Sequence, residues 1–404
     1  MTTRSKLVLA AGITAALAFS GQIAWADAAP TAPEPAPLIK SAHAVSGEYI
    51  VTLDKTVADP AAAAKKLGVK PTFVYSKALH GFAVPLNPLE LTAVRNTPGV
   101  RSVEEDATIS TTPTPSTRPA RRAPTALWNL DRIDQQTWDK TNGTGDGQFT
   151  TTNTGAGVTA YVLDTGIEYG HDEFSGGRAA FGYDAMPDAA TQQGADCNGH
   201  GTHVAGTVGG RTYGVAPQTS LVSVRVLDCE GEGTLSGLIA GFDWVAKNAR
   251  QPAVLNGSLG GDKSEALNNA ATALSDAGVL PVIAAGNDAR DACAVSPASA
   301  DRVFTVGATS RYDEESDFSN YGTCLELYAP GSAILSAKLG GGSIALDGTS
   351  MAAPQAAGVA ALYKQAHPAA LPETIAEYLS EESTKDVLTV SKTSPNALLF
   401  TNGL

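Results

Sequence analysis

Cysteine is scarce in this chain: four of 404 residues, none before Cys197, and no Cys-x-x-Cys pair. That spacing gives thiolate metal sites no support and leaves disulfides, for which four cysteines allow three connectivities. Joining neighbours, Cys197 to Cys229 and Cys293 to Cys324, closes two loops of similar size, each contributing about 3 to 4 kcal/mol in the chain-entropy account. An apolar run long enough to span a bilayer, about 18 residues or more, is also missing. The near approach, Leu7 to Phe19, follows Arg4 and Lys6 and precedes Ala24-Trp25-Ala26. Such a run reads as a secretory signal peptide over residues 1–26, and export is the setting in which cysteines pair. Basic residues fall short of acidic ones, 28 against 41, for a net charge of −13. That excess argues against nucleic acid or an anionic membrane as partner.

What the chain does have is length and apolar content, 404 residues and 43% hydrophobic, enough for one large domain and a smaller one. After an Ala/Pro linker over residues 28–37, strand patterns at 48–53, 73–75, 80–86 and 100–104 enclose helical ones at 60–67 and 89–96. This β-α-β-β-α-β order predicts a small α+β, ferredoxin-like sandwich over about residues 46–109. The tract 111–124 is rich in Thr, Pro and Arg and holds Arg121-Arg122, so it reads as extended, easily cut, and the domain boundary. Residues 1–122 carry 13 Lys and Arg against 9 Asp and Glu, net +4, and the remainder is −17, which predicts attraction between the two pieces. Beyond the tract, apolar runs at 158–163, 221–226, 253–255, 279–285 and 303–307 alternate with helical patterns at 203–208, 237–248 and 265–276. Continuous apolar strands separated by helices predict a doubly wound α/β domain with a mostly parallel sheet and a site at the strands' carboxyl ends.

Gly348-Thr349-Ser350-Met351-Ala352-Ala353-Pro354 sets one serine among small residues at the head of an apolar run to Ala366, read as a buried helix. The free N–H groups and positive dipole end there favour negative charge on a nearby oxygen; alone, the serine would be an N-cap. Asp164 ends the strand pattern 160–164, and His203 lies in His200-Gly201-Thr202-His203-Val204-Ala205-Gly206, a glycine-flanked turn into a helix. His200 with Asp196 and Cys197 invites a metal reading, but nothing supplies a third ligand at helical spacing. Ser350, His203 and Asp164 are instead the parts of nucleophilic acyl transfer: serine needs a base, imidazole takes and returns its proton, and a carboxylate holds the tautomer. Ala284-Ala285-Gly286-Asn287 ends a strand with an amide that, beside the Ser350 N–H, suits an oxyanion; otherwise Gly-Asn is a turn.

Together with Ser258-Leu259-Gly260-Gly261, these motifs resemble, in order, those of the subtilisin-like serine proteases, from about Trp128 to about Leu399. Trp128-Asn129-Leu130-Asp131-Arg132-Ile133-Asp134 and Phe318-Ser319-Asn320-Tyr321-Gly322 are similar to the proteinase K branch, and the cysteine positions to its aqualysin-type members, which implies the neighbour pairing. The resemblance implies a secreted, extracellular, monomeric serine endopeptidase with Asp164, His203 and Ser350 as its triad, Asn287 in its oxyanion hole and no cofactor for its chemistry. A substrate polypeptide would lie between Gly231-Glu232-Gly233 and Ser258-Leu259-Gly260 and add a strand to each, so that main-chain bonds carry affinity and preference is loose. A small pocket bounded by Ala284, Ala285, Gly286 and Gly260, and a subsite walled by Leu235, would favour apolar or aromatic residues. Residues 27–122 resemble the family's propeptide, an intramolecular inhibitor and folding assistant whose tail lies in the cleft. Self-cleavage between Ser110 and Ala123 would release a peptidase domain over residues 123–404. A preformed template suits a parallel sheet, whose long-range contacts fold slowly.

Some positions depart from the family pattern. Gly257 stands where Met is usual and implies a looser wall behind the pocket. Gln355 replaces a usual His, and Asp347 puts a carboxylate beside the nucleophile, in a place to raise the His203 pKa. Structural calcium is implied on the backbone oxygens of Asp301 and Val303 and the carboxylate of Glu326, where the family has Asp. A silent binding protein on this scaffold would lack a triad member, and a sedolisin-type enzyme would carry Glu in place of His203; the sequence fits neither.

Overall fold

A computed structural model describes residues 34–111, 114–115, 127–391 and 393–404; the expected signal peptide and residues 116–126 lie outside the described residues. In the N-terminal unit, Asp59 accepts from the Ala61 N–H and Pro60 presets φ, so a helix runs Pro60–Leu67 and stops at Gly68 in the left-handed region. Asn87 and Glu90 form a capping box that starts the second helix, Pro88–Arg95. Four antiparallel strands lie in the order Val100–Ser110, Ala44–Leu53, Gly81–Pro85, Phe73–Tyr75, the expected ferredoxin-like arrangement, and Leu38–Ile39 adds a parallel edge. Strand side chains alternate between faces. Val51, Phe82, Val84 and Val103 cluster with Ala64 and Val94 of the two helices. Ile50, Ala83 and Tyr75 join instead a cluster that contains Leu238, Ile239 and Phe242 of the second part of the chain.

That second part is built on a nine-stranded sheet in the order Thr384–Lys385, Ala397–Leu398, Leu327–Pro330, Phe304–Thr309, Leu280–Ala284, Ala253–Gly257, Thr159–Asp164, Ser220–Arg225, Ala179–Asp184. All pairings are parallel except that of Thr384–Lys385 with Ala397–Leu398. Both faces are covered, as continuous apolar strands require. Ala160 and Val162 face the cluster holding helices His200–Gly209 and Thr349–Ala366, while Tyr161 and Leu163 face the one holding Leu235–Asn248 and Glu265–Asp276. The first strand, Thr159–Asp164, sits inside the sheet, so the strand order reverses beside it and opens a crevice at the carboxyl ends. The sequence patterns do not anticipate the edge strand Ala179–Asp184 or the hairpin Ile334–Ala337 with Ser343–Asp347, which are exposed or short.

The two parts meet through the shared apolar cluster, through carboxylates on backbone N–H groups, and through one side-chain pair, His43 Nδ1 with Asp262 Oδ2 at 2.7 Å. Asp106 accepts from the N–H and hydroxyl of Ser236 at the head of helix Leu235–Asn248, at 3.0 and 2.5 Å. Glu104 accepts from the Ala266 N–H at the head of helix Glu265–Asp276, at 3.1 Å. In the opposite direction Asp243 accepts from Ser76, Lys77 and Ala78 N–H groups at 2.6–3.0 Å. Apart from His43 against Asp262, the contacts named here set carboxylates on helix-head and loop donors rather than on basic side chains.

Candidate active site

Asp164 is the last residue of its strand and is fully buried. Its Oδ1 accepts from the Thr165 N–H and is joined to Nδ1 of His200, each at 2.7 Å. Here the structure corrects the sequence reading: the histidine against Asp164 is His200, not His203. Asp196 explains why, because it fastens the helix head. Its oxygens accept from Asn198 and Gly199 N–H, Thr202 N–H and hydroxyl, and the Thr165 hydroxyl, at 2.6–2.9 Å. Gly201 lets the helix close in, since a Cβ there would stand 2.1 Å from the Gly166 carbonyl oxygen. His200, the first helical residue, is thereby set at Asp164, while its Nε2 is buried with no hydrogen-bond partner among the described residues.

His203 sits a turn deeper. Its Nε2 faces two carbonyl oxygens, Ile334 at 3.0 Å and Ile344 at 3.1 Å, so this nitrogen carries the proton. Burial, with repulsion from His200, pushes its pKa down to about 3, against the smaller opposing pull of the two carbonyls. It stays neutral and pins the hairpin. The expected upward shift from Asp347 does not occur. The weighed metal set is not assembled either: Asp196 is engaged as described, and Cys197 is bonded to Cys229 as Cys293 is to Cys324.

Ser350 is the second residue of helix Thr349–Ala366. Pro354 lies four residues on and has no N–H to give, which frees the Ser350 carbonyl from the helical ladder. That carbonyl accepts from the Ser258 hydroxyl at 2.9 Å, and the Ser350 hydroxyl donates to the Ser258 carbonyl at 3.2 Å. Asn287 follows strand Leu280–Ala284, and its Oδ1 accepts from the N–H and hydroxyl of Thr349, both at 2.8 Å, which fixes the amide orientation beside Ser350. Asn320 supports this loop by donating to the Ala285 carbonyl and accepting from Asp288 and Arg290 N–H groups at 2.8–3.1 Å. In the sequence Asn320 carries no signal of this role beyond its Ser-Asn-Tyr-Gly setting.

The N-terminal unit's last long strand enters the cleft. Thr108, Ile109 and Ser110 pair antiparallel with Thr234, Gly233 and Glu232, Ser110 also bridges Gly260, and the Thr111 N–H reaches the Gly231 carbonyl at 3.0 Å. Ile109 shares an apolar cluster with Leu235 and Leu259. Gly260, Ala284, Gly286, Asn287 and Ser350 line one cavity of about 490 Å³ with these strand residues. Ala285 does not line it: its side chain is fully buried in a separate cluster with Ala292 and Tyr328. Gly257 leaves no loose wall, because a Cβ there would come within 2.8 Å of Ile283, whose side chain fills the space. Gln355 is fully buried and donates to the Pro330 carbonyl at 2.5 Å.

Two members of the expected calcium set hold hydrogen bonds within the protein. The Asp301 carbonyl accepts from the Thr272 hydroxyl at 2.8 Å, and Glu326 accepts from the Thr305 N–H at 2.5 Å. Burial, with no positive charge beside it, pushes the Glu326 carboxyl up to about 8.

Comparison with known proteins agrees with this geometry. Residues 155–402 match the Subtilase family and residues 68–112 match peptidase inhibitor I9. The extracellular serine proteinase of Thermus sp. (strain Rt41A) is 48% identical over 337 residues, 83% of this chain and 78% of that one. Proteinase R of Parengyodontium album is 38% identical over 385 residues, 93% of this chain and 94% of that one. Among solved structures, a cold adapted subtilisin-like serine proteinase aligns with a TM-score of 0.65 at 46% identity, covering 68% of this chain and 98% of that chain. With matches of this length and identity behind the buried Asp164–His200 pair and the Ser350 helix, this chain belongs to the Subtilase family.

Proposed function

We propose that this chain is an extracellular serine endopeptidase in which Ser350, His200 and Asp164 form the triad, made as a pre-pro form with a signal peptide over residues 1–26, a propeptide over 27–122 and a peptidase domain over 123–404. The observation that carries the triad is the 2.7 Å contact of Asp164 with His200 Nδ1, which leaves Nε2 of a buried imidazole ready to accept a proton. The Ser350 hydroxyl turns from the Ser258 carbonyl to that nitrogen, loses its proton to it and attacks the substrate carbonyl carbon. Asp164 keeps the proton-bearing Nδ1 in place and stabilises the imidazolium. The new oxyanion takes hydrogen bonds from the Asn287 amide and the Ser350 N–H, a first-turn group with no helical acceptor. His200 then returns the proton to the leaving amine, and an acyl ester on Ser350 remains. Water, deprotonated by His200, attacks that ester; the acid product leaves and Ser350 regains its proton. Small cavity-lining residues and backbone pairing support a broad, mainly apolar or aromatic preference, and the strand already in the cleft supports self-inhibition and autoprocessing.

Treatment of the secreted protein with a fluorophosphonate, followed by intact-mass and peptide mapping, tests this. Adduct on Ser350 of a species starting between Ser110 and Trp128 is expected. Ser350→Ala and His200→Ala should each lower turnover by on the order of a millionfold and leave the chain unprocessed, whereas full activity in His200→Ala would remove His200 from the mechanism.

A further inference from the structure

The segment that enters the cleft does not end at the nucleophile. Beyond Thr111, Thr114 and Pro115 pair antiparallel with strand Ser343–Asp347, Thr114 opposite Asp347 and Pro115 opposite Leu346. The other edge of Ser343–Asp347 is taken by Ile334–Ala337. Its free edge is therefore what an extended polypeptide meets on leaving the cleft, after pairing first with Glu232–Thr234 and Gly260. The register sets Asp347 directly across from the residue four places after the one that bridges Gly260. Directly opposed residues of an antiparallel pair project from the same face, about 4.5–5.5 Å apart at Cβ, within reach of a long side chain. Asp347 is half-buried, its Oδ1 is held at 2.5 Å by the Ala333 N–H, and no Lys, Arg or His among the described residues is recorded in an ion pair with it. A carboxylate fixed at one register position of a binding edge acts on the side chain delivered there.

We propose that Asp347 is a specificity residue for the leaving-group side of the substrate: it selects Lys or Arg at the position four places after the residue that pairs with Gly260, and disfavours Asp and Glu there. The inference rests on the serine endopeptidase reading above. The chain's own residue at that register is Thr114, which carries no charge, so a cationic substrate would bring a charge pair that this segment lacks.

Fluorogenic peptides identical except for Lys, Gln or Glu at that position test it, with product masses fixing the cut. For the wild-type protein at low ionic strength kcat/KM should favour Lys over Glu by about fivefold, the size expected for one exchanged cross-strand charge pair. The ratio should fall towards one as salt approaches about 1 M, where charges are screened within a few ångströms. In Asp347→Asn it should be close to one at every salt concentration. A wild-type ratio of one at low salt, or a ratio unchanged in Asp347→Asn, overturns the proposal while fluorophosphonate labelling of Ser350 leaves the peptidase reading standing. The salt series on the wild-type protein decides the matter if the variant does not fold, and failure of Ser350 to label together with no cleavage of any peptide overturns both readings.

Discussion

His203 has no contact with water, and both acceptors on its Nε2 are backbone carbonyls of one hairpin. A charge there would be desolvated and set beside His200, which is why its pKa falls to about 3. In the unfolded chain a histidine titrates near 6.5. The unfolded state thus binds a proton first as the solution is acidified, so this group's contribution to stability is complete above about pH 6.5 and is lost as pH falls from there towards 3. Urea unfolding of the uncut Ser350→Ala chain should show this as a loss on the order of a few kcal/mol across that window. His203→Gln, which keeps a donor in reach of the hairpin but does not titrate, should flatten that slope; an unchanged slope would count against a neutral buried His203. Local chemistry also explains how Ser350 is presented. Pro354 frees a carbonyl that Ser258 then holds, so a helix-breaking residue inside the helix locks the Ser350 backbone to the cleft wall.

Two helices of the catalytic part expose N-terminal N–H groups to the N-terminal unit, and two of that unit's carboxylates meet them. Helix heads carry unsatisfied donors and the positive end of the dipole, so Asp106 and Glu104 dock an acidic edge onto an acidic domain. Net charge counts only ions; a helix head presents fixed partial charge that the count omits. Burial holds both carboxyls above the usual range, which shows that desolvation opposes these bonds. Removing Asp106 nonetheless strands the Ser236 donors. Asp106→Ala in the uncut Ser350→Ala chain should cost about 1–3 kcal/mol, read as a lower unfolding midpoint by calorimetry, and an unchanged midpoint would mean that water replaces the carboxylate without penalty. The helix that carries His200 obeys the same rule from inside, with Asp196 on its first N–H groups.

At the scale of the whole molecule, two disulfides tie together segments that lead to or from residues named at the site. Cys197–Cys229 ties the approach to His200 to the approach to Gly231, and Cys293–Cys324 ties the segment after Asn287 to the one after Asn320. The sequence separations are 32 and 31 residues, so restriction of the unfolded chain predicts nearly equal contributions, about 3 to 4 kcal/mol each. Replacing either pair with serine in the Ser350→Ala chain and comparing urea midpoints checks this. A large effect from one pair and none from the other would place the stabilisation in native contacts instead.

Much of this was legible from residue order. The alternation of apolar runs and small-residue helices specifies the parallel sheet, and Asp59-Pro60 and Asn87-x-x-Glu90 mark helix starts because capping is a local interaction. The places of Asp164, Asn287 and Ser350 in the fold were legible because each stands at or just after the end of a strand or at the head of a helix. The choice between His200 and His203 could not, since both lie on one glycine-rich helix and differ only in which neighbour each meets, Asp164 in one case and the hairpin carbonyls of Ile334 and Ile344 in the other. The same holds for Ile283 filling the space at Gly257, for the burial that raises the Glu326 carboxyl, and for Asp347 on an edge where a polypeptide pairs. Periodicity and capping act over a few residues and are written in order along the chain, whereas burial and partnership between residues tens of positions apart are set by how the elements pack.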